Sequence, residues 1–99
     1  MEFLTGSTGE MVHEHLYSEK GQRIGHRTLP AGFQTGEGKL HPAPAHGVII
    51  PIKGRVQFNT EGHSEEIYPG RAVVMEKGEP HSMTAITDCE IMVVLDILR

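Results

Sequence analysis

Histidine is the residue type in this chain that most readily supports chemistry, and seven histidines occur in 99 residues. His41 and His46 flank the segment "PAPA", and His81 lies much further along the chain in "GEPHS". Neutral imidazole binds Zn, Cu, Fe or Ni, and a catalytic metal site usually has three protein ligands and one open position. These histidines are therefore candidates for a metal site or a ligand pocket, provided that the fold brings them together.

Short strands between turns are the elements that would have to position these side chains. Twelve glycines and six prolines interrupt the chain, so few segments are long enough for several helical turns. The intervening segments are rich in Val, Ile, Phe and Thr, and this spacing of turn signals is typical of an all-β sandwich or barrel. The predicted strands are "GVIIPI", "RVQFN", "EEIY", "RAVVME", "SMTAI" and "IMVVLDILR".

The first third of the chain gives a weaker signal. "MVHEHLY" alternates as a strand does, although Glu10 to Lys20 also fits a helix loosely, and we interpret it as a strand. No internal repeat or interdomain linker is visible, and 99 residues suit one domain.

The final segment, over residues 91–98, is apolar on both faces apart from Asp96. Alternate residues of a strand point to opposite sides, so one face would meet the core and the other needs a second cover. A second layer or a partner subunit could supply that cover. On this basis we expect a homodimer.

Charge and composition exclude several classes of partner and cofactor. The net charge is −4 and the nine Lys and Arg residues are scattered, so we expect neither nucleic acid nor an anionic membrane as a partner. No phosphate-binding glycine loop is visible, so no nucleotide cofactor is expected. The single cysteine, Cys89, is expected to be buried, and the absence of a visible secretory signal or membrane span predicts a cytoplasmic protein.

Two stretches of the chain resemble the motifs of the cupin superfamily of small β-barrels. Gly70, Gly78 and His81 stand at the spacing of the second cupin motif, and His41 and Gly54 match the first. "TLPAG" is similar to the strand and turn before the first motif, and "PHSMTAITDCEIMVV" is similar to the run after the second. The resemblance covers about residues 27–98.

Both motifs are incomplete. Ala43 replaces the second histidine of the first motif, and Gly47 replaces its glutamate. In the second motif, Glu76 stands where proline is usual and Ala85 where asparagine is usual. The resemblance therefore implies the fold more specifically than it implies a metal site.

The resemblance implies an all-β fold: a single cupin-like double-stranded β-helix, or jelly-roll barrel, over residues 1–99, with 1–10 as a candidate flexible segment. A closed barrel of about eight strands is wide enough to hold one small ligand. The implied function is a pocket that binds a divalent transition metal (Zn, Fe, Ni, Mn or Cu), a small organic ligand, or both.

His41 and His81 are the metal ligands that the resemblance implies, and His46 is the leading candidate for a third. His46 adjoins the position of the missing glutamate, but if Gly47 faces the interior, an extended His46 faces outward unless a bulge rotates it. Glu76 is a further candidate for the lining of the pocket.

Plainer roles compete with these. His41 and His81 could line a pocket that holds no metal, and His46 could point to solvent. The remaining histidines are expected on solvated or edge positions, His26 on a strand surface among them. Three functions stay open: a metal-dependent enzyme for a small molecule, a non-catalytic ligand-binding module, and a scaffold with a vestigial metal site.

Overall fold

Antiparallel strands make up most of the computed structural model, which describes residues 1–97. Leu98 and Arg99, which the sequence places in the final strand, lie outside the described residues. In chain order the elements are β1 His13–Glu19, β2 Gln22–Leu29, a 3₁₀ turn Thr35–Gly38, β3 His41–Pro42, β4 His46–Lys53, β5 Val56–Thr60, β6 His63–Ile67, β7 Val73–Met75, β8 Pro80–Ala85 and β9 Cys89–Asp96.

The strands form two sheets that pack against each other. The first sheet has the order β1-β2-β9-β4-β7, and the second has the order β3-β8-β5-β6. Ile49 on β4, Val56 on β5 and Ile91 on β9 are almost fully buried between them. Burying a side chain of this size contributes about 1.5–3 kcal/mol, so these alternating positions hold the two sheets together.

The all-β prediction is confirmed. "MVHEHLY" lies in β1 and not in a helix, and each segment predicted as a strand overlaps one of the observed strands. Cys89 is buried as expected, and burial raises the pKa of its thiol. Within residues 1–97, no helix is long and apolar enough to cross a membrane.

Gly54 makes the tight turn between β4 and β5. Its φ is +79°, a left-handed conformation that favours glycine, and a Cβ here would collide with the carbonyl oxygen of Asp88. This close approach explains why glycine stands at this position of the first motif.

His26 is not the surface residue that the sequence predicted, because it is fully buried. It lies on the outer face of β2, where its Nδ1 is 2.8 Å from Glu14 Oε2 and its Nε2 is 2.6 Å from Glu90 Oε2. Gly6 covers the ring so closely that a Cβ on this glycine would lie 2.5 Å from the imidazole. The segment before β1 therefore buries a histidine that β2 alone would expose.

The same contacts hold the segment before β1 in place. Ser7 donates hydrogen bonds of 2.8 Å from both its backbone nitrogen and its Oγ to the carboxylate of Glu14. Thr28 Oγ1 donates to the carbonyl oxygen of Gly9 at 2.7 Å. His26 and its two carboxylates are thus the centre of a network that joins this segment to β1, β2 and β9.

The charge state of this network makes folding stability depend on pH. Burial lowers the pKa of His26, but the hydrogen bonds and charges of Glu90 and Glu14 outweigh it, so the net pKa is raised. The hydrogen bonds from Ser7, followed by the bond to His26, lower the pKa of Glu14. The His26 contribution to stability is thus complete below the ordinary histidine pKa of about 6.5 and is lost as the pH rises through the raised value.

We predict that replacing His26 with Gln removes this alkaline loss of stability. At about pH 6 the substitution should lower the melting temperature by roughly 6 °C or more, since a hydrogen bond to a charged group contributes about 1.5–3 kcal/mol. Towards pH 9 the wild-type and H26Q melting temperatures should converge, as measured by differential scanning calorimetry. A difference between the two proteins that stays constant with pH would contradict the ion-pair assignment.

Candidate functional site

A cavity of about 140 Å³ lies between the two sheets and opens to solvent beside β1. Its apolar wall comes from the inward faces of strands in both sheets, and its polar wall comes chiefly from β1, β2, β3 and β8. The apolar residues are Pro44, Ile49, Met75, Met83, Val93 and Leu95, and the side chains with polar groups are His13, His15, Arg23, Arg27, Thr35, His41 and His81.

His41 and His81 are brought together by the pairing of β3 with β8. They are direct partners in the antiparallel register, and their ring centroids are 4.6 Å apart. His81 also stacks on Phe58, with 5.5 Å between the ring centroids. Residues 40 positions apart in sequence thus form one histidine pair at the wall of the cavity.

The two imidazoles of this pair have different surroundings. His81 Nδ1 lies 3.3 Å from the carbonyl oxygen of Glu79, to which it can donate. Burial, with a further effect of the nearby His41, lowers the pKa of His81 and favours its neutral form. His41 Nδ1 is buried against Gly36 and has no hydrogen-bond partner among the described residues.

The structure places His46 and Glu76 outside this cavity, so neither has the role expected from the sequence. Both are exposed, and they contact each other, with His46 Nδ1 3.2 Å from Glu76 Oε1. Alternation along β4 is the physical reason: Gly47 is buried, so the preceding side chain points outward. No bulge at this point of β4 rotates His46 inward.

The positions that would complete a metal site carry no ligand atoms. Ala43, which replaces the second histidine, is buried as a methyl group in the core. A Cβ at Gly47 would lie 2.5 Å from Leu95 Cδ2 and 2.6 Å from the Val94 carbonyl oxygen, so Leu95 fills the place of the missing glutamate. Among the described residues no group of three His, Cys, Asp or Glu side chains could hold a metal ion. Two imidazoles alone do not fit a three-ligand transition-metal site.

Two arginines that line the cavity, Arg23 and Arg27 on β2, were not predicted from the sequence. His13 and His15 are exposed on the edge strand β1, as expected, and they also contribute to the lining of the cavity. The available signal was the parity of β2: Leu29 is a core residue, and Arg23 and Arg27 share its face of the strand.

Arg27 lies deeper in the cavity wall than its residue type would suggest. It pairs in register with His13 on β1 and Ile91 on β9, and its Nε is buried without a hydrogen-bond partner among the described residues. Burial lowers the pKa of the Arg27 guanidinium. Burial, followed by the nearby charges of Arg27 and His15, lowers the pKa of His13. The cavity wall thus carries two arginines, and the buried Nε of Arg27 has no hydrogen-bond partner within residues 1–97.

Comparison with solved structures decides the fold. An RmlC-like cupin protein with a double-stranded β-helix fold from Methanocaldococcus jannaschii is similar at a TM-score of 0.84 and 20% identity, with 98% of this chain and 91% of the other covered. The chain has the cupin fold. A conserved protein of unknown function from Streptococcus pyogenes is similar at a TM-score of 0.79 and 16% identity, with 100% and 97% covered.

The cupin fold also includes an enzyme among the similar structures. A DMSP lyase from Ruegeria pomeroyi is similar at a TM-score of 0.75 and 21% identity. The match covers 88% of this chain and 47% of the lyase chain. No protein-family model matches the sequence, and no curated protein matches it. The resemblance drawn from the two motifs is thereby confirmed for the fold.

Proposed function

We propose that this cupin-fold protein binds a small organic molecule in the cavity between its sheets. The observation that carries the proposal is the His41–His81 pair, which lies in the wall of this cavity with 4.6 Å between the ring centroids. In the same wall, the buried Nε of Arg27 has no hydrogen-bond partner among the described residues. A buried polar atom without a hydrogen bond costs about 1–3 kcal/mol, and a ligand that supplies the bond would recover that free energy on binding.

The size and lining of the cavity suit a compact molecule. Its volume of about 140 Å³ is close to that of a cavity, ~150 Å³, that holds benzene. Ile49, Met75 and Met83 offer apolar contact, and the histidine pair offers hydrogen bonds to fix the orientation of the ligand. Apolar walls with a few convergent polar groups are the usual composition of a small-molecule site.

Metal-dependent catalysis is the alternative function, and the donor set supports it less. His41 and His81 would be the only imidazoles of the predicted metal set in the cavity wall, since His46 is exposed elsewhere. The cupin fold serves enzymes and other proteins alike, and so it does not supply an activity to this chain. Ligand binding without a resident transition metal is the function that these contacts support.

Ligand binding should appear as thermal stabilisation by benzene-sized probes such as phenol, benzamide, imidazole and benzoate. At about 100 times its Kd, a ligand raises the free energy of unfolding by about 2.7 kcal/mol, or roughly 10 °C in melting temperature for a domain of this size. The shift should be largely lost in H41A and H81N and retained in H46A, whose side chain lies outside the cavity. Equal shifts in melting temperature in all four proteins, or no shift in the wild type, would contradict the proposal.

Metal content provides a separate prediction. Protein purified without chelator should hold well below one Zn, Fe, Ni, Mn or Cu per chain by inductively coupled plasma mass spectrometry, because no three ligand side chains within residues 1–97 come together around a metal position. H81N should leave this low content unchanged. One metal ion per wild-type chain that is lost in H81N would restore the metal-site hypothesis.

The outer face of the five-stranded sheet supports the expected homodimer as part of this proposal. Ile24, Val94, Val48 and Val74 are successive partners in register across β2, β9, β4 and β7. Val74 is 58% exposed and Ile50, on the same face of the sheet, is 41% exposed. A second copy would cover this apolar row in a protein that we place in the cytoplasm.

Sedimentation equilibrium tests the homodimer. The wild type should sediment as a dimer, and V74E should shift towards the monomer because it places a charge in the apolar row. I86E is the matched control, since Ile86 is an exposed apolar residue outside that row. A monomeric wild type, or the same loss of dimer in both variants, would contradict this interface.

A further inference from the structure

The charge of the cavity wall differs in sign from the charge of the whole protein. The chain carries a formal net charge of −4, yet the residues that line the cavity include two arginines and four histidines, and none of the described lining residues is acidic. The two arginines therefore give this wall a positive charge, and its low-dielectric surroundings strengthen their field.

Arg27 is the residue of this wall that is best suited to bind an anion. The exposed arginines Arg55 and Arg71 pair with the carboxylates of Glu66 and Glu65, whereas the buried Nε of Arg27 has no partner among the described residues. Buried guanidinium groups are almost always paired, because removing an unpaired charge from water is costly. An arginine presents its donors as a planar fork that matches the two oxygens of a carboxylate.

The remaining wall restricts the anion to an organic one. Ile49, Met83 and Val93 line the same cavity and offer no hydrogen bonds to a bare inorganic anion, whereas the apolar part of an organic anion could pack against them. A carboxylate attached to a compact apolar body would satisfy both parts of the wall. The volume of about 140 Å³ limits that body to about the size of a benzene ring.

We propose that the ligand of this cavity is a small organic carboxylate whose charged end binds Arg27 and whose apolar body lies against Ile49, Met83 and Val93. This inference rests on the proposed function, since it names the chemical class of the molecule that the cavity binds. Arg23 adds positive charge to the same wall, and the histidine pair hydrogen-bonds the ligand.

Matched pairs of acids and amides test the carboxylate directly, because each pair has nearly the same shape. Isothermal titration calorimetry near pH 7 with benzoate and benzamide, and with isobutyrate and isobutyramide, should give at least about tenfold tighter binding for an acid than for its amide. R27Q should abolish the preference for the acid, and R27K should weaken it by removing the planar fork. R55Q is the matched control and should keep the wild-type preference, because Arg55 pairs with Glu66 on the second sheet.

A second readout does not depend on the folding of the Arg27 variants. In the wild type, a bound carboxylate next to Arg27 should raise the pKa of His13, followed by NMR, while the matched amide leaves it unchanged. His13 pairs in register with Arg27, and its pKa in the free protein is lowered by burial and by Arg27 and His15.

The outcomes separate this inference from the proposed function. If the amides bind as tightly as the acids, the assignment of the ligand as a carboxylate would be overturned. The proposal that the cavity binds a small molecule would still stand. If inorganic phosphate binds as tightly as benzoate, the inference that the anion is an organic one would be overturned. If no acid or amide binds, and phenol and imidazole do not bind either, both proposals would be overturned.

Discussion

The two-residue period of the β-strands decides which side chains enter the cavity and which meet solvent. On β4 the buried Gly47 forces His46 outward, and on β2 the buried Leu29 places Arg27 inward. The pairing of β3 with β8 then sets His41 opposite His81. Strand parity and register place most of the candidate site, and the left-handed Gly36 (φ +61°) lets the turn before β3 pack closely on His41.

The inward faces of the strands carry two sets of residues: apolar residues that form the core, and polar residues that line the cavity. Inward residues such as Ile49 and Ile91 fill the core, and the inward polar residues gather at one end of the barrel. Within the described part of the chain, buried nitrogens on Arg27 and His41 have no hydrogen-bond partners, and this opposes folding. The core and the His26 network compensate for them. Local violations of the rules of protein interiors usually mark functional sites.

Much of the fold could be predicted from the sequence, because Gly and Pro punctuation and β-branched segments are local signals. The histidine pair could be predicted as well, since His41 and His81 stand at motif spacing. His26 and Arg27 could not be placed by the same reasoning. β2 carries polar and apolar residues on both faces, so its pattern alone does not say which face is inward. The contact of Gly6 with His26 joins segments whose pairing no local pattern reveals.

The departures from the motifs carry as much information as the matches. Leu95 occupies the space next to Gly47, and Ala43 belongs to the core. Apolar groups therefore stand at the two positions where the resemblance implied metal ligands. What remains is a histidine pair and two arginines of β2 in the wall of one cavity. The proposed recognition of an organic carboxylate rests on this combination.

A crystal structure of the protein grown with benzoate would test this account most directly. The account predicts ordered density between the sheets, with the carboxylate against Arg27 and the ring against Ile49 and Met83. A metal ion bridging His41 and His81, or benzoate bound only outside the barrel, would contradict it.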